Sequence, residues 1–164
     1  MTTNSKLWKR LERRPYATGA DYLDALSREG FRVSDWIDDV VRKPGFRVND
    51  VTWPLPLVRV RLDQLGFSAP TTLEEVYRVM IGRGYENPPP EAALALRFVY
   101  PEQPVGEWLR VATPMNAMVD RDGVPHLPKL GHALGKYFLE TYWSYPGAVF
   151  HPHNEFVLVD RRCG

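Results

Sequence analysis

The sequence predicts an α+β protein, an N-terminal helical hairpin followed by an antiparallel β-sheet domain with one main covering helix. Three observations carry this expectation. Two short stretches between residues 19 and 45 show helical apolar spacing with stop residues behind them. A well-capped amphipathic stretch fills residues 71–84. From residue 97 onward, aromatic and β-branched runs alternate with turn signals. The expected organisation is a helical region over residues 1–50 and an α+β domain over residues 57–162 with a β-rich C-terminal half.

Taken in order, KLWKRLERR places Leu7, Trp8 and Leu11 at helical spacing with Lys6, Arg10, Arg13 and Arg14 mainly around the other side, so a short basic helix closed by Pro15 is expected. In GADYLDALSREG the apolar stripe is Tyr22, Leu23 and Leu26, and Gly30 supplies the left-handed stop. Ser34 is a natural N-cap for DWIDDVVRK, with Trp36, Ile37, Val40 and Val41 on one face. Its acidic residues crowd the first turns and its basic residues the last, as the helix dipole prefers. The prolines at 44, 54 and 56 mark a linker, and PLVRVRL alternates Val58 and Val60 against Arg59 and Arg61 as a half-exposed strand does.

The clearest helix is SAPTTLEEVYRVMIGRG. Thr71 or Thr72 caps it, Glu74 or Glu75 completes a capping box, and Leu73, Val76, Tyr77, Met80 and Ile81 form its buried face. In NPPPEAALALRFVY, Pro89 and Pro90 open a helical turn before the chain straightens into a strand LRFVY. Further strands are expected in EWLRVATPM, KYFLETYWSY and EFVLVD, with DRDG as a tight turn.

Composition narrows the function classes. The chain has 164 residues, 21 lysines and arginines against 20 aspartates and glutamates, and a single cysteine, Cys163. A net charge of +1 provides no global field for nucleic acid or an anionic membrane. One cysteine permits neither an intrachain disulfide nor a multi-sulfur zinc site. No apolar run approaches the roughly 20 residues of a membrane span, and MTTNSKLWKR does not read as a signal peptide, so a cytoplasmic location is expected.

The stretches GFRVSDWIDDVVRKPGF, VRLDQLGF with TTLEEVYRVMIGRGYENPPPEAALALRFVY, and PEQPVGEWLRVA resemble, in order and spacing, a family of uncharacterised bacterial proteins. Its members look like "SDWANDILGKPAF", then "ELGF" and a helix, then "CPPEVGPALRLQYxDQPxGEWL", and finally a "W-D-P-D-D-R-W-V-F" ending. The likeness covers nearly the whole chain after residue 15 and implies one intact bacterial unit, with no biochemical activity attached. Pro88 stands where relatives carry cysteine, and His151 and His153 stand where relatives place acidic residues in a polar turn.

Those histidines are the most suggestive polar cluster. HPHNEF offers His151, His153 and Glu155 as metal ligands, and with a divalent ion they would make a hydrolase, the alternative reading. Only an uninterrupted strand would place the three on one face, and Pro152 restricts such a strand to a sheet edge. A solvated turn is expected instead, and no metal or other cofactor. The helix-turn-helix reading of residues 19–43 fails on charge, because Asp35, Asp38 and Asp39 would meet phosphates. A regulator binding DNA through residues 1–15 is a third possibility. Neither a phosphate loop around GRG nor a nucleophile motif around Ser34, Ser68 or Ser144 is present. Glu102 and Glu107, a formal carboxylate pair, flank the QPVG turn.

What remains is aromatic density: Tyr137, Phe138, Tyr142, Trp143, Tyr145 and Phe150. On a strand, Tyr137, Leu139, Thr141, Trp143 and Tyr145 share one face, and Phe138, Glu140, Tyr142 and Ser144 the other. With Arg59, Arg61, Arg97 and Arg110 on neighbouring strands, one of these faces would present rings beside guanidinium groups. The expectation is a small non-enzymatic binding or accessory protein for an unknown protein or small-molecule ligand, nucleic acid being a weaker candidate. Trp143, Tyr145, Tyr142, Arg110 and Trp108 are the expected contact residues.

Overall fold

The alternation in VRVR does produce a strand, and both of its faces are covered. The computed structural model describes residues 6–12, 15–46, 48 and 52–163. Its elements, in chain order, are β1 (Lys9–Leu11), α1 (Gly19–Arg28), β2 (Arg32–Val33), α2 (Asp35–Arg42), β3 (Leu55–Arg61), β4 (Thr71–Thr72), α3 (Leu73–Gly82), α4 (Pro90–Val99), β5 (Trp108–Val111), β6 (His126–Ala133), β7 (Lys136–Trp143), β8 (Val149–Phe150) and β9 (Glu155–Val159). Seven strands form one sheet in the order β1-β3-β9-β5-β6-β7-β2, and β4 pairs with β8 in a small second one.

The α+β class is as expected, but the sheet is mixed. Most neighbours run antiparallel, whereas β5 runs parallel to β9 and β2 parallel to β7. The expected helical hairpin is present as α1 and α2, yet its connector is itself the edge strand β2, so the pair is stitched to the sheet. The single covering helix is a further correction. Strand β3 buries Leu55 and Leu57 on one side and Val58 and Val60 on the other, and β9 buries Phe156, Val157, Leu158 and Val159 in succession. Strands apolar on both sides require a layer on each. Helices α1, α2 and α4 pack on the first face around Tyr22, Leu26, Ile37, Leu94, Leu109, Leu130 and Leu139. Helix α3 covers part of the second around Val60, Leu73, Val76, Met80, Phe150 and Phe156.

Three elements depart from expectation. KLWKRLERR contains β1, which pairs with β3 from Lys9↔Leu57 to Leu11↔Leu55, and Arg13 and Arg14 lie outside the described residues. The free edge of β3 and the packing of Trp8 edge-on against Tyr100, at 4.9 Å between centroids, outweigh a weak helical spacing. LRFV of that stretch belongs to α4, which Pro90 starts and Tyr100 caps; the Ala92–Leu96 run favours helix and is buried throughout. HLPKLGHA forms the long strand β6. Elsewhere the expected caps Ser34 and Thr72 accept from Ile37 N and Glu75 N, and Thr18 caps α1 by accepting from Asp21 N. Two residues of the expected buried faces are exposed, Trp36 at 47% and Ile81 at 56%.

Candidate ligand-binding face

The β6–β7 hairpin sets the geometry. Its ladder runs from His126↔Trp143 to Ala133↔Lys136, and β5 adds Trp108↔Gly131, Leu109↔Leu130 and Arg110↔Lys129. Leu109, Leu130 and Leu139 point into the first core. Alternation therefore puts Trp108, Arg110, Lys129, Gly131, Phe138, Glu140 and Tyr142 on the second face, beside the part that α3 covers.

These residues form a row of rings and cations. The Lys129 Nζ lies 4.9 Å from the Trp108 ring centre and 5.9 Å from that of Tyr142. The Arg110 guanidinium lies 5.7 Å from the Tyr142 centre and 5.5 Å from that of Phe150. Phe138 sits 6.0 Å from Trp108, whose ring crosses directly over Gly131 and leaves no room there for a Cβ. Trp108 is 37% exposed. Arg110, Lys129, Phe138, Glu140 and Tyr142 are half-buried. Burial pushes both cations below their ordinary pKa, and for Lys129 the nearby Arg110 adds to the effect while Glu140 opposes it.

The expected contact residues thus divide. Trp108, Arg110 and Tyr142 come together. Trp143 belongs to the opposite face, where Trp36 and Trp143 lie 5.2 and 5.8 Å from the His126 ring. Tyr145 follows the end of β7 and lines a cleft of about 580 Å³ with Tyr77, Ile81, Met115, Val119 and Pro146. Asn87, Asn116 and Ser144 add polar groups to the two tyrosine hydroxyls of that wall, and its described lining contains no charged side chain. Of the other arginines, Arg59 is on the first face in bonds to Glu107, Glu155 and Tyr100, and Arg97 belongs to α4. Lys129 does not stand out in the sequence, because HLPKLGHA, with its proline and glycine, does not read as a strand. The signal that could have found it is the hairpin pattern around Leu134 and Gly135.

The histidine segment is a turn. Asn154 Oδ1 accepts from His151 N at 2.8 Å and Asn154 N donates to His151 O at 2.9 Å, which closes residues 151–154 on themselves. The exposed rings of His151 and His153 lie side by side, 5.8 Å apart. Glu155 does not join them, because Arg59 engages both of its oxygens at 2.9 and 3.0 Å. The metal-ligand set His151, His153 and Glu155 is therefore corrected: among the described residues, no group of three His, Cys, Asp or Glu side chains is placed to hold a metal ion. His126 and His132 are committed elsewhere, to Asp120 with Thr141 and to Gln103 O. The carboxylates of the QPVG turn also separate, Glu102 to Lys9 and Glu107 to Arg59.

Compared with protein families, with curated proteins and with solved structures, the chain matches none. Among the described residues no helix is long and apolar enough to cross a membrane.

Proposed function

We propose that this protein is a small non-enzymatic binding or accessory protein whose contact surface is the second-face row on β5, β6 and β7. The observation that carries this reading is the cross-strand pair Arg110↔Lys129 set among Trp108, Phe138, Tyr142 and Phe150 on a part of the sheet that α3 leaves open. Rings with adjacent cations give large, rigid contact area at low entropy cost, and the sheet beneath holds them in fixed register. Away from this face, Asp120, His126 and Thr141 form a hydrogen-bonded chain in which His126 is 1% exposed and lies between Trp36 and Trp143.

The test is a backbone-amide NMR spectrum of the full chain recorded against a panel of small planar compounds, charged and uncharged. Shift changes are expected to cluster at residues 108–111, 127–131 and 138–142. Changes confined to the cleft around Tyr77, Met115 and Tyr145, or no changes at all, would remove this face as the contact surface.

A further inference from the structure

The charges of this face point to the chemistry of its ligand, an inference that rests on the reading just given. Arg110 and Lys129 are direct cross-strand partners. Like charges so placed repel, and both are partly withdrawn from water, which raises the cost. Other withdrawn cations of this chain have oxygen partners. Arg59 holds Glu107 and Glu155, Arg97 donates to the carbonyls of Gly131, Phe138 and Tyr100, and Lys43 donates to those of Val119 and Asp120. Among the described residues Arg110 and Lys129 make neither a hydrogen bond nor an ion pair, and the buried Nε of Arg110 has no acceptor. Glu140, the residue opposite Lys129 on β7, makes no ion pair with it. The chain has thus placed two donors side by side and left their acceptor out.

The surroundings of the two donors say what that acceptor is attached to. The Trp108 ring passes across Gly131 with the Lys129 Nζ over it, 4.9 Å from its centre, and Tyr142 stands within 6 Å of both cations at 5.7 and 5.9 Å. A flat ring laid on the exposed part of Trp108 would carry an attached anionic group toward Arg110 and Lys129. We propose that this face binds a small free ligand in which a phosphate or carboxylate is carried on an aromatic ring, a molecule of the mononucleotide type. A nucleic-acid strand fits less well, because it needs a track of cations along its backbone, whereas this face sets one close pair, Arg110 and Lys129, with the Glu140 carboxylate beside it, and its further cation, Lys136, stands apart at the hairpin end. The cleft beside Tyr145 has no charged wall and so does not compete for an anion.

Adenosine monophosphate, adenosine, inorganic phosphate and a short oligothymidylate are titrated into the full-length protein, its Arg110→Gln variant and its Lys129→Gln variant, followed by calorimetry and by amide shifts. Adenosine monophosphate is expected to bind at least about tenfold more tightly than adenosine. Each variant should lose about tenfold for the monophosphate, the size of one charge-assisted hydrogen bond, and clearly less for adenosine. If the two ligands bind equally well at residues 108–142 and the variants change neither, the anion assignment falls while the contact surface stands. If no ring compound perturbs this face, the contact surface falls and the assignment with it. Tighter, steeply salt-dependent binding of the oligothymidylate would overturn the free-ligand assignment. Thermal melts establish that each variant is folded, and Lys129→Gln, at a half-exposed position, carries the test alone should Arg110→Gln not fold.

Discussion

Asp120 Oδ2 lies 2.9 Å from His126 Nε2, and both side chains are buried. Three further bonds fix the pair. Asp120 Oδ1 accepts from the backbone N–H of Asp122 and Val124, and His126 Nδ1 meets Thr141 Oγ1 at 3.1 Å. The DRDG turn is thereby tied to both strands of the β6–β7 hairpin.

The Asp120 carboxyl is held below the ordinary carboxylate range, first by His126, with burial opposing and the two backbone N–H groups adding to the depression. A depressed folded-state pKa stabilises the fold above the unfolded value of about 3.8, and that contribution is lost as pH falls through the folded value. Urea melts from pH 7 down to pH 2 should show wild-type stability falling at the acid end. Asp120→Asn should be less stable at neutral pH and lose less on acidification. Parallel curves for the two proteins would refute this role.

Arg97 is 1% exposed and donates to the carbonyls of Gly131, Phe138 and Tyr100, so the last turn of α4 is clamped to the β6–β7 hairpin. Burial pushes its pKa down to about 10, which leaves it charged at neutral pH. Arg97→Ala should cost about 3 kcal/mol in chemical denaturation, from lost charged hydrogen bonds and packing. Arg97→Lys should recover less than half of that, because one ammonium cannot reproduce the fork. Full recovery with lysine would show that charge alone matters.

Gly131 lies beneath the Trp108 ring, and any Cβ there would overlap the ring atoms. Gly131→Ala should lift Trp108 off the sheet at a cost of about 1 to 3 kcal/mol, the usual range for overpacking. Circular dichroism is expected to report a retained fold, and the intrinsic fluorescence to change as the indole leaves its place. Unchanged fluorescence would mean that the ring position does not depend on this glycine.

Leu134 and Gly135 join β6 to β7 with φ angles of 53° and 71°, a turn that demands the left-handed region at both positions. Leucine is poorly suited to that region, and here its side chain is 90% exposed, with little packing to offset the strain. Leu134→Asn should raise stability by about 1 kcal/mol, read as a higher denaturation midpoint at unchanged slope. A lower midpoint would show that the leucine side chain contributes more than its backbone costs.

The sequence made legible what local chemistry determines. The caps at Ser34 and Thr72, the strand over β3 and the alternation along β7 all follow from residue type and spacing. That alternation correctly separated Tyr142 and Phe138 from Trp143 and Tyr137. What depended on distant partners was not legible. Lys9–Leu11 became a strand because β3 had a free edge, and residues 96–99 remained helical because the sheet buries α4. For the site, Trp108, Arg110 and Tyr142 were named from rings and cations alone, while Lys129 required the register of a strand with few local signals. Trp143 went to the other face because its odd position aligns it with Leu139 and the first core.

Strand β2 pairs with β7 only at Phe138 and Leu139, and the next residue, Ser34, donates its own N–H to Leu139 O while capping α2. One serine backbone and hydroxyl therefore link the start of a helix to the guarding of an open margin. Loosening that junction would unmask the outer rim of β7 to neighbouring molecules, so damage there would first be felt as self-association in concentrated solution.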